Sequence, residues 1–140
     1  MSLEHLAYVS SATGLLSEQA LKSLLESAAR LNGAHGVTGM LLYSDGNFLQ
    51  ILEGSPAALD ETMARIHRDR RHHDVMVLFR EPIAERDFSA WKMGLRILSH
   101  SQLTEHPECI PFFSPNYDAS KIVNPKSEAL KFLLSFRSSN

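Results

Sequence analysis

Apolar and polar positions along the chain fall into blocks that predict alternating strands and helices. Leu3 to Ser10 is a short apolar run with aromatic content, read as a first strand. Ser11 to Gly14 is a turn. Ser17 is placed as a helix N-cap, with Glu18 near the positive end of the helix. Leu21, Leu24, Leu25 and Ala28 recur at helical spacing, and Asn32-Gly33 reads as the stop. Gly36 to Ser44 and Asn47 to Glu53 are apolar runs joined through Asp45-Gly46, a strong hairpin signal. Gly54 ends the second run. Ser55-Pro56 opens another helix, with Leu59, Met63, Ile66 and Thr62 as its inward stripe. Asp74 to Phe79 reads as a fourth strand. A polar turn from Glu85 to Asp87 precedes a fifth, Phe88 to Leu98.

The order βαββαββ predicts an α+β, ferredoxin-like sheet with two helices on one face. Met40-Leu41-Leu42 and Val75 to Phe79 are apolar on both sides of the pleat. A sheet with one wet face would alternate, so the second face is expected to be covered too. The remainder, 99–140, can supply that cover. Cys109 to Asp118 looks irregular, and Asn124-Pro125 caps a last helix running to near Arg137. Its Ala129, Leu130, Leu133 and Leu134 form one apolar stripe. The expected division is 1–98 as the main domain and 99–140 as a helical extension, packed on the sheet or at an oligomer interface.

Composition narrows the function classes. The 140 residues suit one domain, and 44% hydrophobic with 21% charged residues excludes disorder. Lys and Arg number 14 against 16 Asp and Glu, a net charge of −2. No overall positive field argues for nucleic acid or an anionic membrane. A single cysteine, Cys109, excludes an internal disulfide and any multi-cysteine metal centre. The first residues lack a signal-peptide pattern, and no apolar run approaches the roughly 18 residues of a membrane span. The expectation is a soluble, cytoplasmic protein.

Several polar residues sit among apolar ones. Asn32 follows Ala28 by four and Leu25 by seven, so it projects from the apolar face of its helix. It reads either as a C-cap before Gly33 or as a buried amide whose partners a ligand supplies. Gln50 interrupts Phe48-Leu49-Gln50-Ile51-Leu52. It is either an edge residue in water or a central amide with an oxygen and an NH₂ to satisfy. Tyr8 shares a strand face with Leu6 and reads alone as a core tyrosine. Arg65 and Asp69 are four apart, a surface ion pair or two contacts to a polar ligand between the helices. Arg68, Arg70, Arg71, His72 and His73 form a cationic run, either a solvated helix end or a phosphate site. Trp91 and Met93 share one face of the last strand.

Together these positions resemble the BLUF family, the bacterial sensors of blue light using FAD, over roughly Leu3 to Leu98. The resemblance rests on order and spacing: Tyr8 with Ser10; Asn32 then Gly36-Val37-Thr38-Gly39; Tyr43 and Gly46; Phe48-Leu49-Gln50 with Leu52-Glu53-Gly54; Arg65-Ile66, Asp69 and Arg71-His72-His73; Phe88, Trp91 and Met93. It implies a photoreceptor with no catalytic turnover of its own. A flavin, FAD with FMN or riboflavin as alternatives, would lie between the two helices. Tyr8 would be the electron and proton donor, and Gln50 the link from tyrosine to flavin. Asn32 would anchor the ring's carbonyl edge. Arg65, Ile66 and Asp69 would contact the ring, and Arg71 or His72 the phosphate-bearing chain. Trp91 and Met93 would carry the signal. The chemistry is coherent, since a tyrosine gives up an electron to an excited flavin only if its phenolic proton finds an acceptor. Rotation and tautomerisation of Gln50 both satisfy that role.

Two positions depart from the family pattern: Leu31 stands where a polar residue is frequent, and Ala28 where a serine is. The short tail resembles stand-alone members. A homo-oligomer and an unidentified downstream protein partner are expected, with no metal. Two other readings stay open: a flavin oxidoreductase, and a ligand-free interaction module whose tyrosine, glutamine and asparagine are satisfied core groups.

Overall fold

A computed structural model gives the fold; it describes residues 2–14, 17–89, 94–113 and 124–136. Five strands, β1 (Leu3–Ala12), β2 (Thr38–Ser44), β3 (Asn47–Gly54), β4 (His72–Ile83) and β5 (Gly94–Ile97), form one sheet in the order β4-β1-β3-β2-β5. Among the described residues only the β2–β5 pair is parallel. Helices α1 (Glu18–Ala34) and α2 (Pro56–Arg68) send Leu21, Ala58, Leu59 and Met63 onto one face, against Leu6, Tyr8, Leu41, Phe48 and Leu52. This is the ferredoxin-like arrangement.

The local chemistry explains these elements. Ser17 and Ser55 cap their helices, each side-chain oxygen accepting the N–H three residues on, from Ala20 and Ala58. Asp45 (φ 48°) and Gly46 (φ 84°) both take the left-handed conformation that a two-residue hairpin turn requires. Gly39 is dictated by close approach, since a Cβ there would lie 1.9 Å from the Ile51 carbonyl oxygen. Glu53 is fully buried, and its carboxylate accepts from Thr38 Oγ1 and the N–H groups of Asp87 and Phe88. It therefore ties the turn after β4 to the base of the hairpin.

The second face of the sheet carries Ala7, Val9, Met40, Leu42, Leu49 and Ile51, the residues alternating with the helix-side set. They pack against Leu103 of α3 (His100–Thr104), Cys109 and Phe112 of a 3₁₀ segment (Pro107–Phe113), and Ala129, Phe132 and Leu133 of α4 (Pro125–Ser135). Burying each large side chain contributes about 1.5–3 kcal/mol. The expectation of a covered second face thus holds for β2 and β3.

Other expectations are corrected. Helix α1 does not stop at Asn32-Gly33. The Asn32 carbonyl accepts from both His35 and Val37, the helix runs to Ala34, and Gly36 (φ 71°) takes the left-handed position. The strand expected from Asp74 to Phe79 starts at His72 and extends to Ile83, because β1 offers a partner along its whole length. It is an edge strand, so Met76 (47% exposed) and Val77 (45%) stay uncovered although the run reads as buried. Of the described residues in the expected fifth strand, Gly94–Ile97 are strand and Phe88 is buried in a turn; 90–93 lie outside the described residues. Asn124 makes no side-chain cap, leaving Pro125 to open α4. Helix α3, which the sequence reading did not place, opens on a capping box made by Ser99 and Gln102.

Candidate functional site

Between α1, α2 and the sheet lies a cavity of about 300 Å³. Tyr8, Asn32, Gln50, Arg65, Ile66, Asp69, Arg71 and His72 all line it. Trp91 and Met93 lie outside the described residues.

Its floor is one row across three strands. Tyr8 stands opposite Gln50, and Gln50 opposite Leu41. Because β3 is central, Gln50 is buried rather than in water, which overturns the edge reading. The Tyr8 hydroxyl donates to Gln50 Oε1. Burial pushes the Tyr8 phenol well above the ordinary tyrosine range, with Asp69 adding to the rise, so the proton stays on Oη at neutral pH.

The walls come from the helices. Asn32 is 1% exposed, and its Oδ1 accepts from Arg65 Nη2 at 2.5 Å, bridging α1 to α2. The Asn32 side chain is therefore a buried amide and not a helix cap. Arg65 and Asp69 do not pair. Asp69 receives Arg71 Nε at 2.9 Å and Nη2 at 2.6 Å, together with the Arg71 N–H. That guanidinium holds the Asp69 carboxyl below its usual range. Arg68 and Arg71 bring positive charge to the same cavity.

His72 is half-buried beside Tyr8 and Phe48, with ring centroids 6.3 and 6.0 Å away. Its Nε2 lies 2.9 Å from the Ile66 carbonyl, and its Nδ1 2.9 Å from Ser10 Oγ. A carbonyl only accepts, so the proton sits on Nε2 and the serine hydroxyl donates to Nδ1. Burial holds the imidazole below its ordinary pKa, in keeping with this neutral form. His73 is exposed and pairs with Asp74, so the adjacent histidines do not act together.

Apolar side chains complete the lining: Leu24, Ala28, Leu31, Leu41, Phe48 and Ile66, with Ser27 beside them. Sequence reasoning did not place Leu24, Ser27, Leu41 or Phe48 at the site. Two signals were available. Leu24, Ala28 and Leu31 follow helical spacing on the Asn32 side of α1, and the two-residue turn fixes Leu41 opposite Gln50.

The site suits a flat, fused aromatic ligand with polar edges. It offers apolar walls, buried amides at Asn32 and Gln50, the Arg65 guanidinium, and cationic groups for an anionic substituent. Such a donor set fits a flavin. Elsewhere, Glu108, Cys109 and Glu128 bring their ligand atoms within 4.8 Å of one another. Burial and the two carboxylates push the Cys109 thiol up to about 12, so it stays protonated at neutral pH. No helix among the described residues is long and apolar enough to cross a membrane.

The family profile described as BLUF, sensors of blue-light using FAD, matches residues 3–94. A photoactivated adenylate cyclase subunit beta of Euglena longa is 38% identical over 89 residues, covering 64% of this chain and 10% of that protein. The chain thus spans about a tenth of the length of such curated relatives. Among solved structures, the dark state of BlrB, a BLUF protein, superposes with a TM-score of 0.76 at 26% identity, covering 99% of this chain and 98% of that one. Klebsiella pneumoniae BlrP1 with FMN and cyclic diGMP gives 0.68 at 28% identity, covering 95% and 34%. With its ferredoxin-like sheet and a flavin-fitting cavity lined by the residues of the family pattern, this chain belongs to the BLUF family of blue-light sensors using flavin.

Proposed function

We propose that this chain senses blue light through a hydrogen-bond switch made by Tyr8 and Gln50, with no catalytic turnover of its own. The observation that carries the reading is the Tyr8 hydroxyl donating to Gln50 Oε1 in the floor of the cavity. When bound, the flavin supplies light absorption and a strong excited-state oxidant. Tyr8 holds its proton on Oη, aimed at the one acceptor that makes its oxidation feasible. Gln50 would take that proton at Oε1 and hand it back to Tyr8, its amide left in a second hydrogen-bonding state. Asn32 and Arg65 would hold the polar edge of the ring and Ile66 would pack on it, while Asp69 fixes Arg71 beside His72, where a phosphate-bearing chain would find it.

FAD is the cofactor we favour, on the family's description. FMN is the alternative, since BlrP1 is seen with it. A cavity of about 300 Å³ lies at the small end of ligand pockets, roughly 300–1,000 Å³. It suits the ring shared by both, with the phosphate-bearing chain at the rim. Heat release of the cofactor followed by chromatography separates the two. The division we favour is 1–98 as the flavin-binding domain and 99–140 as a cover over the second face. Output would pass through Trp91 and Met93 to that cover and to a protein partner, from a homo-oligomer in the cytoplasm.

The test is a light-minus-dark difference spectrum of flavin-loaded variants. Tyr8→Phe is expected to keep flavin but lose the stable red-shifted state, and Gln50→Leu to lose it likewise. A normal photocycle in Tyr8→Phe removes the donor role. Dark reduction of the flavin by a pyridine nucleotide would favour the oxidoreductase reading.

A further inference from the structure

A polar row crosses the sheet on the face that the tail covers. Glu53 of β3 stands opposite His5 of β1, and His5 opposite Glu81 of β4, so the three side chains share that face. His5 is 3% exposed. Its Nε2 lies 2.8 Å from Glu81 Oε1, and its ring meets the Phe79 ring edge-on at 4.9 Å. A carboxylate only accepts, so Nε2 carries a proton and donates it. Nδ1 is buried and has no partner among the described residues. The neighbouring Glu53 carboxylate is already taken by Thr38 and by the N–H groups of Asp87 and Phe88.

The other oxygen of Glu81 accepts from Lys126 Nζ, in the first turn of α4. A cation in that position opposes the helix dipole, and Glu81 offsets the mismatch. The acidic residue of the same turn, Glu128, faces Lys131 at 3.8 Å instead. Glu81 thus holds a buried imidazole with one oxygen and the start of the tail helix with the other.

We propose that His5 is a proton sensor that sets how firmly α4 is held on the sheet. Proton uptake at Nδ1 leaves the Nε2–H bond to Glu81 in place but puts a positive charge beside that carboxylate. Glu81 then answers two cations instead of one, and its pull on Lys126 falls. The added attraction goes to the β1–β4 contact, which does not include α4. Histidine is the side chain that ordinarily changes charge between pH 5 and 8, so the device works near neutrality. The charged groups around the imidazole are Glu53 on β3 and Glu81 on β4, which favour uptake, and Lys126 on α4, which opposes it. Arg86 and Asp87, of opposite charge, lie in the turn beside Glu53. Acid therefore loosens α4, and neutral pH secures it. By reciprocity, Lys126 lowers the proton affinity of His5 by the same factor.

The latch does not rest on the flavin switch, and it stands even in a chain whose flavin ignores light. Its test uses the full-length, flavin-loaded chain in the dark. Hydrogen exchange is measured at about pH 7.5 and about pH 5.5, corrected for the intrinsic pH dependence of exchange. Protection of 125–135 relative to α1 is expected to fall about two- to fivefold at the lower pH, the size of a partly exposed ion pair. Lys126 is exposed, so Lys126→Met leaves the core intact, and its protection should be low at both pH values. His72→Gln should keep the pH dependence, and His5→Gln should lose it. An NMR titration, with the His5 signal assigned by its loss in His5→Gln, should show its midpoint rising in Lys126→Met. A pH-independent 125–135 in the unmodified chain, an undiminished dependence in Lys126→Met, or a His5 midpoint that Lys126→Met leaves in place would each overturn the latch.

Discussion

Asn32 and Arg65 show how one hydrogen bond organises the cavity. The bond joins two helices, and one partner is fully buried. Removing the guanidinium by Arg65→Ala leaves the Asn32 oxygen without its donor, at a cost of about 1–3 kcal/mol. The expected result is a lower urea midpoint and weaker flavin retention on dialysis. His72 gives a pH dependence whose sign follows from its lowered pKa. As pH falls through the ordinary imidazole value, about 6.5, the unfolded chain takes up the proton before the folded one. The stability His72 contributes is therefore present above that pH and lost as pH falls toward its folded value. Asp69 is also lowered, by Arg71, and its contribution is lost only below the ordinary carboxylate range, about pH 4. Denaturation midpoints between pH 7 and pH 5 should therefore fall less in His72→Gln than in the unmodified chain.

Gly39 is the clearest position at the scale of elements. A methyl group there would strike the Ile51 carbonyl of the neighbouring strand, so Gly39→Ala is expected to cost at least the roughly 1–3 kcal/mol of an overpacked core. Because β2 also places Leu41 opposite Gln50, the same variant should bind flavin less well, as read by the flavin-to-protein absorbance ratio. The hairpin was legible because its turn chemistry and register are local. The two capped helices were legible for the same reason. The opposition of Tyr8 and Gln50 was not, since no local rule sets the register of two strands separated by a helix and another strand. The bare spacing therefore left Asn32, Gln50 and Arg65 with bland alternatives, which the family resemblance weighed against; burial removes them for Asn32 and Gln50, and the bond to Asn32 with Asp69 held by Arg71 removes it for Arg65. The error at β4 has the opposite origin, because an apolar run shows that a strand is sticky but not whether a neighbour covers it.

For the whole molecule, the sheet is a partition between two apolar layers. Tyr8, Leu41 and Gln50 face the cavity, while the residues alternating with them, Ala7, Leu42, Leu49 and Ile51, face the tail. A rearrangement of Gln50 that moves its strand is thus felt directly by the cover on the other side. Leu133 is fully buried in that cover, and Leu133→Ala is expected to cost about 2–5 kcal/mol. Hydrogen exchange should quicken in 125–135 more than in α2, while the spectral shift survives because no cavity-lining residue has changed. All of this rests on the claim that the cavity holds a flavin whose colour Tyr8 and Gln50 switch. The absorption spectrum of the purified, flavin-loaded chain before and after blue light tests that claim most directly. The account predicts a small red shift of the flavin bands that reverses in the dark; a bound flavin whose spectrum does not move under blue light would contradict it.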